Sequence, residues 1–600
     1  MINLIKILFR EESILKRTFF HFVLAILFLF CLNGLYFSFS EKQLYFSYNI
    51  LTFFLLISLV LLFNKGAILY KKLGKGRRIF LLCSFFFSFF FTAGTSLVVN
   101  NAVTFSSPLF WGSMVVFTLF FLYLLTVLYC IALPKAVAWL TQPLSARWEK
   151  CYSHLHFIQF MALIFVLWIP ILLACYPGIF SYDAQFQSNQ IIGNIPLNAH
   201  HPVIHTLLLG GCLALGESLF HSYNTGMLFY SLIQISVLSA SMAYVLSFMK
   251  KRNTAPKYVI LCFLFFSLMP FNSILSVCAT KDTIFSALFL VYITFWIRLA
   301  SEHESFFASR FELCFFTLSS FLLMTLRKNM LYVILFCVPF LFFIYRKYWK
   351  KLLWIILLPL LLIRLVEGPI YDILQIKSGD SREAYSVIIQ QFGSVYPLTE
   401  PGSEEQELLL DLMDEEDWLR YEPRRADALK DHFHTTVFED NLTDYLSLWL
   451  ELGIAHPSQY INAFLNTTFG LWYPNDILPD TATYRKYIEV YCNGAVTFDS
   501  KFPLLLKVIE HIGMESIYQY VPGISILFSP GFYLWILMFG AAIGFYSKKY
   551  KNLIPFIPLL GLFCTLLLGP VAILRYMYPL LLSAPLISSL LLYSAKKEPS

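Results

Sequence analysis

Strongly apolar runs of about 20 residues recur along most of this chain, and they constrain its fold more than any other feature. A helix needs about that length to cross roughly 30 Å of hydrocarbon. Helices cross a bilayer in this way because their backbone groups bond internally. Charged residues form only 14% of the chain, against about 25% in a typical soluble domain. The chain is therefore predicted to be an all-α polytopic membrane protein.

Basic clusters between the apolar runs predict how the chain is oriented, because cytoplasmic loops carry an excess of Lys and Arg. They fall on one side only if residues 202–219 do not cross but lie on the outer surface as a juxtamembrane helix. This predicts about fourteen transmembrane helices in a cell membrane, with both termini cytoplasmic and the first span a retained signal anchor. The predicted spans are 18–38, 47–66, 79–100, 108–132, 157–175, 224–248, 257–278, 282–299, 312–327, 330–345, 351–366, 523–545, 552–571 and 575–594.

The same topology divides the chain into four parts. Residues 1–150 are predicted to form an N-terminal four-helix membrane unit, and 151–366 a membrane core with an outer loop at 176–222. Residues 367–522 are polar, of mixed charge, and long enough for an extracytoplasmic domain. Residues 523–600 are predicted to form a C-terminal three-helix membrane segment. Since the net charge of +7 is explained by cytoplasmic loops, no nucleic-acid partner is predicted.

The start of the outer loop, residues 176–187, contains a single acid, Asp183, among aromatic residues that include Tyr182. A carboxyl group in such a place has a raised pKa unless a cation or a metal offsets the burial. A general base or a metal ligand would suit this environment. A structural role explains the residue equally well, with Asp183 as the N-cap of the following helix.

Two histidines, His200 and His201, open the juxtamembrane helix on the same predicted face. Because adjacent side chains point in different directions, joint chelation of a metal is a poor interpretation. Donation by one of them to a phosphate or a carboxylate is the functional interpretation. Interfacial polar residues without chemistry are the alternative.

Three short outer turns carry cations against the usual charge bias of membrane proteins. They contain Lys281 with Asp282, Arg327 with Lys328, and Arg575. Anionic lipid headgroups explain any one of these cations. Together, on the face that holds the outer-loop acid, they predict a pocket for a phosphate or a pyrophosphate.

Two stretches of the predicted outer domain also carry distinct patterns. Acids alternate with leucines over residues 404–418, which predicts a solvated amphipathic helix. Trp472 and Tyr473 precede a proline. They are interpreted either as a loop that stacks on a sugar ring or as an interfacial loop that dips into the membrane surface.

Two short motifs, YPGIFSYDAQ at 176–185 and HHPVIH at 200–205, resemble the GT-C superfamily of integral membrane glycosyltransferases. That superfamily includes the protein O-mannosyltransferases and the lipid A aminoarabinose transferases. Together with TKDT at 280–283, LRKN at 326–329 and WYP at 472–474, the two motifs more closely resemble an uncharacterised family of bacterial membrane proteins near that superfamily. The resemblance covers about residues 155–595, so 151–366 is expected to be a GT-C-like core.

The resemblance implies transfer of a sugar from a polyprenyl-phosphate donor to a cell-envelope glycan, lipid or protein acceptor. Asp183 would be the general base, and Lys281, Arg327, Lys328 and Arg575 would face the phosphate. Members of the superfamily usually carry an Asp-Glu pair where this chain has Asp183 and Ala184. No cofactor is therefore certain, and a divalent metal is possible.

Two other classes of function stay open. A transporter or a flippase for a lipid-linked substrate would use the same intramembrane charges for passage. A structural or assembly protein would use the outer domain to bind a partner. Membrane lipids are expected neighbours in every case.

Overall fold

The structure is a computed structural model that describes residues 14–37, 50–193, 195–379, 381–475, 487–521 and 523–594. Within these ranges, ten helices are long and apolar enough to cross a membrane, or eleven if the bent pair Pro256–Leu268 and Pro270–Ser276 is one span. The same ranges contain isolated β-bridges but no strand. The all-α membrane fold is confirmed at this level, and the count of fourteen spans stays a prediction.

The N-terminal helices pack around a core rich in phenylalanine that also takes in Trp535 from near the C-terminus. Gly66 is required where the second and fourth helices meet, since a Cβ there would lie 2.9 Å from the backbone of Tyr123. His21 and Asn64 form a polar pair inside this unit, 3.0 Å apart. The helices are α1 (Ile14–Phe37), α2 (Ile50–Lys72), α3 (Arg77–Asn100), α4 (Pro108–Val127), α5 (Leu133–Leu140) and α6 (Ala146–Ser153).

The central helices surround Lys281–Ser301, whose side chains are buried on nearly all sides. This helix packs against Tyr223–Lys251, Arg310–Leu326 and the last helix of the chain. The central helices are α7 (Phe157–Ala174), α8 (Ala184–Ile192), α9 (Val203–Phe220), α10 (Tyr223–Lys251), α11 (Pro256–Leu268), α12 (Pro270–Ser276), α13 (Lys281–Ser301), α14 (His303–Ala308), α15 (Arg310–Leu326), α16 (Met330–Tyr345) and α17 (Trp349–Leu365).

Helices α16 and α17 belong to one helical run, Met330–Ile373, that turns back on itself. Near its middle, the Tyr345 hydroxyl donates to the Leu299 carbonyl at the end of α13 (3.0 Å). Just beyond the run, Ile376 packs on Ala199 and Val203, which lie beside the start of α13. The middle of the run thus lies near the end of α13 and the residues beyond it lie near its start, while the spans 330–345 and 351–366 stay predictions.

Helix α9 meets the length and hydropathy of a membrane span, although it was predicted to lie on the outer surface. Its His205 hydrogen-bonds Tyr230 of α10, and its Gly216 contacts Gly226 of α10. The two helices are joined by a two-residue link and pack closely together. The placement of α9 on the outer surface stays a prediction.

The predicted outer domain contains two packing environments. Residues 389–460 enclose their own core around Phe392, Trp418 and Phe438. Its remaining described part joins the core of the membrane helices through residues such as Phe469 and Ile509. The helices are α18 (Tyr371–Ile373), α19 (Ser386–Val395), α20 (Glu404–Leu412), α21 (Glu415–Trp418), α22 (Asp427–Lys430), α23 (Thr435–Asp440), α24 (Leu442–Ala455), α25 (Pro457–Trp472) and α26 (Pro503–Gly513).

The predicted amphipathic character of residues 404–418 is confirmed, although they form two short helices instead of one. Leu409, Leu412 and Trp418 are buried, whereas Glu404 and Glu405 are exposed.

The last helices return the chain to the membrane core. Helix α30 packs against α13 and α28, and α29 packs against α16. The starts of α9, α13 and α30 and the end of α15 consequently meet in one place, where their charged ends form the candidate site. The last helices are α27 (Ile524–Phe528), α28 (Pro530–Tyr546), α29 (Phe556–Leu566) and α30 (Leu574–Ser594).

Candidate functional site

The loop between α7 and α8 carries Asp183 and is held against the turn that precedes α13. The Ile179 amide donates to the Val277 carbonyl (2.8 Å), and the Ala279 amide donates to the Ile179 carbonyl (2.9 Å). Lys281 follows two residues later as the first residue of α13. Paired main chains therefore set the outer-loop acid beside this lysine.

The carboxylate of Asp183 faces three nitrogen-bearing side chains. Its Oδ2 lies 3.3 Å from Arg575 Nη1, 3.6 Å from Lys281 Nζ and 3.9 Å from His201 Nδ1. Asp183 occupies the N-cap position of α8, but its side chain makes no capping hydrogen bond. The interpretation of the Asp183 side chain as a helix cap is therefore wrong. The structure brings Asp183 together with Arg575, Lys281 and His201.

A second acid, Asp282, lies deeper in the same group and is 1% exposed. Its carboxylate is 3.4 Å from Arg327 Nη1 and 3.6 Å from Arg575 Nη1. The Tyr182 ring centre lies 4.2 Å from the Arg575 guanidinium, and the Tyr576 ring centre lies 4.9 Å from that of Arg327. Such ring contacts hold each guanidinium in a defined plane. We call the whole group the membrane-side cluster: Asp183, His201, Lys281, Asp282, Arg327 and Arg575.

Lys328 and His200 stand at the edge of this cluster. Lys328 is exposed, lines the adjoining cavity, and has no ion pair with any residue of the described ranges. The His200 ring lies edge-on to the rings of Phe186 and His201, and it also lines the cavity. Both residues therefore lie beside the cations of this cluster.

Charge interactions set the protonation states in the loop. Burial raises the pKa of Asp183, but Arg575 and Lys281 outweigh it and bring the pKa well below its usual value. Burial and Lys281 lower the pKa of His201 to about 3. At neutral pH Asp183 is thus an anion, and His201 is a neutral ring whose Nδ1 accepts from Lys281 Nζ at 3.0 Å.

A buried chain of hydrogen bonds connects the elements that carry these charges. Gln187 of α8 bonds His205 of α9 (2.6 Å), which bonds the Tyr230 hydroxyl of α10 (2.8 Å). Tyr230 donates to Gln234 (2.7 Å), whose amide reaches the carbonyls of residues 275, 276 and 278. Three of these four residues escaped the sequence analysis, because isolated polar residues on apolar helices indicate a network only once their partners are known.

One cavity of about 1510 Å³ is lined by the membrane-side cluster, except the deeper Asp282, and by residues of the predicted outer domain. Lys430 Nζ lies 2.7 Å from Glu383 and 2.6 Å from Asp427. The other ion pairs of this wall join Arg425 to Glu422 (2.8 Å) and Arg382 to Asp431 (3.5 Å). The sequence analysis missed all of these residues, since charges are ordinary in a polar segment. We call them the domain-side cluster: Arg382, Glu383, Glu422, Arg425, Asp427, Lys430 and Asp431.

The N-terminal unit also reaches the cavity. Arg424 lines it and donates to the carbonyl of Leu97 (2.8 Å) and the side chain of Asn101 (3.2 Å). Asn462 and Asn466 bond the backbone of residues 101 and 103. These contacts tie α3 to the outer domain.

Trp472 and Tyr473 do not join the cavity. Both are buried, with Tyr473 against Gly94 of α3 and the Trp472 carbonyl accepting from Trp535 of α28 (2.9 Å). Their large apolar surfaces are satisfied by helix packing, which corrects both the sugar-stacking and the interfacial-loop interpretations.

A divalent metal does not fit the groups around Asp183. In the described part of the chain, no three His, Cys, Asp or Glu side chains are grouped to hold a metal ion. The positions next to the carboxylate are taken by Lys281 and Arg575, whose fixed charges repel a cation.

Fold and site together define a polytopic helical membrane protein with a charged cavity between its helix ends and the segment 381–460. The chain belongs to a family of unknown function, DUF6020, which matches residues 193–599. Most of the site falls in this range, whereas Asp183 and the N-terminal unit precede it. Comparison with curated proteins and with solved structures gave no match.

Proposed function

We propose that this protein is a GT-C-like membrane glycosyltransferase that transfers a sugar from a polyprenyl-phosphate donor to a cell-envelope acceptor on the extracytoplasmic side. The observation that carries the proposal is the position of Asp183. Its carboxylate opens to a large cavity and lies 3.3 Å and 3.6 Å from the cations Arg575 and Lys281. An acid and phosphate-binding cations are the groups that glycosyl transfer from a phosphate requires.

The phosphate would bind the cations of the membrane-side cluster. Lys281, Arg327 and Arg575 carry three positive charges against the two acids Asp183 and Asp282. Lys328, at the cavity edge, increases the excess. Fixed cations stabilise the negative charge that develops on a departing phosphate. Because their contacts with the acids are long, 3.3 to 3.6 Å, an incoming phosphate competes well for them.

Asp183 would accept the proton of the acceptor hydroxyl. Before the donor binds, Arg575 and Lys281 keep the pKa of Asp183 low, so it is a weak base. A bound phosphate engages those cations and raises the pKa towards the range that favours proton transfer. The acceptor oxygen then bonds to the anomeric carbon, and the carbon–oxygen bond to the phosphate breaks with its electrons on the phosphate. A single displacement inverts the anomeric configuration.

The membrane placement is part of the proposal. Fourteen crossings with cytoplasmic termini put the cavity at the outer face. Helix α9 would lie there as a juxtamembrane helix, with Ile204, Leu207 and Leu215 exposed for contact with the lipid tail of the donor.

The test compares a deletion strain that carries wild type, Asp183→Asn, Asp431→Asn or an empty vector. Asp431 is the matched control, since it lines the same cavity and is 61% exposed in its pair with Arg382. Mass spectrometry would quantify polyprenyl-phosphate sugars and envelope glycans. With empty vector and with Asp183→Asn, one lipid-linked sugar should accumulate and its envelope modification should disappear. Asp431→Asn should behave as wild type.

Purified protein would then separate an enzyme from a flippase. Wild type should form a new glycosidic bond from the accumulated donor, and loss of a general base should slow this step about 10²–10⁴-fold. Unchanged donor and envelope pools, or an active Asp183→Asn protein, would contradict the proposal. Accumulation in cells without transfer in vitro would favour the flippase.

A further inference from the structure

Glu489 is one of six acids that line the cavity, and its surroundings differ from those of the other five. The acids that line the cavity are Asp183, Glu383, Glu422, Asp427, Asp431 and Glu489. The first five each lie within 4 Å of a Lys or Arg nitrogen. Among the residues that the structure describes, Glu489 has no such cation. Its side chain accepts one hydrogen bond, from the Tyr491 hydroxyl to Oε2 at 2.9 Å.

Main-chain contacts hold Glu489 next to the catalytic loop. Its amide donates to the Tyr182 hydroxyl (2.9 Å), and its carbonyl accepts from the Ser181 hydroxyl (2.8 Å). Both partners immediately precede Asp183. On either side of Glu489, the Ile488 amide bonds the Gly513 carbonyl and Val490 is buried. The position of this carboxylate relative to Asp183 is therefore set by the fold.

A carboxylate without a cation needs hydrogen-bond donors once a ligand displaces water from it. An ionised carboxylate only accepts hydrogen bonds, and each of its two oxygens has room for more than one. A neutral hydroxyl fits this site. A phosphate or a carboxylate does not, since like charges repel.

We propose that Glu489 and Tyr491 form the acceptor subsite, which binds a hydroxyl-rich neutral acceptor such as a sugar or a polyol. The inference rests on the proposed transferase function. The phosphate of the donor occupies the cations of the membrane-side cluster, and Glu489 accepts from one acceptor hydroxyl. A neighbouring hydroxyl of the acceptor is then presented to Asp183, which takes its proton. The two acids thus have different tasks: Asp183 takes part in the reaction, and Glu489 orients the acceptor.

The test uses the full-length protein in nanodiscs, with the donor lipid that accumulates in the deletion strain. The acceptor probe is envelope material from that strain, added in increasing amount. Glu489→Gln keeps the shape but removes the charge, and it should raise the half-saturating amount of acceptor at least about 10-fold while kcat changes less than about 3-fold. Loss of uniform binding has this kinetic signature. Glu489→Asp should recover part of the affinity.

Two controls isolate the acceptor side. Glu422→Gln removes a cavity acid that is paired with Arg425, and it should leave the half-saturating amount unchanged. Stabilisation against heat by undecaprenyl phosphate should be equal in wild type and Glu489→Gln, which also reports that the variant is folded. An unchanged half-saturating amount in Glu489→Gln, or a loss of undecaprenyl-phosphate stabilisation in that variant, would overturn the inference and leave the transferase function standing. Absence of transfer by wild type would overturn both.

Discussion

Two cations on opposite walls of the cavity each bridge a pair of carboxylates, and they do so differently. Lys430, in the domain-side cluster, lies 2.7 Å and 2.6 Å from Glu383 and Asp427. Arg575, in the membrane-side cluster, lies 3.3 Å and 3.6 Å from Asp183 and Asp282. Lys430 thus makes two short ion pairs, whereas Arg575 makes two longer ones.

The surroundings explain the difference. On the domain side, Glu383 and Asp427 are 43% and 29% exposed, so water solvates the carboxylate oxygens that Lys430 does not bind. Burial lowers the pKa of Lys430, but Asp427 and Glu383 outweigh it and raise the pKa to about 12. On the membrane side, three cations share two acids in a confined space. The ion pairs of the domain-side cluster are therefore structural, whereas the charges of the membrane-side cluster are incompletely neutralised. Incomplete neutralisation is expected of an anion-binding site.

Removal of the bridging cation from each wall should have the largest effect and should separate the two. Arg575→Met leaves Asp282, which is 1% exposed, with Arg327 as its remaining cation among the described residues, and breaking a buried pair costs about 3–5 kcal/mol. Lys430→Met leaves two acids that water can solvate, and exposed pairs contribute about 0–1 kcal/mol. Unfolding midpoints of the full-length protein in detergent would measure the difference.

Undecaprenyl phosphate should stabilise the Lys430→Met protein as it does wild type and should fail to stabilise Arg575→Met. Equal destabilisation by the two variants would contradict the distinction between the walls. Equal responses to the lipid would contradict the assignment of the phosphate to the membrane side.

The sequence foretold the membrane-side wall better than the domain-side wall, and the reason is physical. Lys281, Arg327 and Arg575 interrupt apolar runs, where a charge is costly and therefore conspicuous. Arg382, Lys430 and Glu489 lie in polar segments, where charges carry no such signal. Their grouping depends on contacts between residues far apart in the chain.

The fold shows the same division. Length and hydropathy predict the helical membrane class, because each span is a local property of about 20 residues. The burial of Trp472 and Tyr473 follows from α3 and α28 packing around them, which no local pattern encodes. Likewise, the internal core of residues 389–460 depends on packing between several short helices, which the sequence of each helix does not show.

A pH dependence of intermediate size tests the buried histidine of the membrane-side wall. The pKa of His201 is about 3 in the folded protein and about 6.5 in an unfolded chain. Below pH 6.5 the unfolded chain binds a proton that the folded protein excludes, so stability falls as the pH decreases. At pH 5 this amounts to about 2 kcal/mol. His201→Gln should remove that loss.

Unfolding midpoints at pH 7.5 and pH 5 would measure this effect in wild type and in His201→Gln. The comparison at pH 7.5, where the ring is neutral in both states, supplies the internal control. A loss of stability between pH 7.5 and pH 5 that is as large in His201→Gln as in wild type would contradict a neutral His201, and with it the hydrogen bond that Lys281 donates to its ring.

The smallest effect is expected from a single pair of the domain-side wall. Glu422 is 50% exposed in its contact with Arg425. In the Glu422→Gln protein, water therefore solvates the groups that the ion pair held together. The unfolding free energy should change by about 1 kcal/mol or less. The change should shrink further in 1 M salt, where screening acts over about 3 Å. The partly buried contacts of Arg575 should respond much less to salt. A similar salt sensitivity of the two clusters would mean that the membrane-side charges are solvated. It would therefore contradict a phosphate site there.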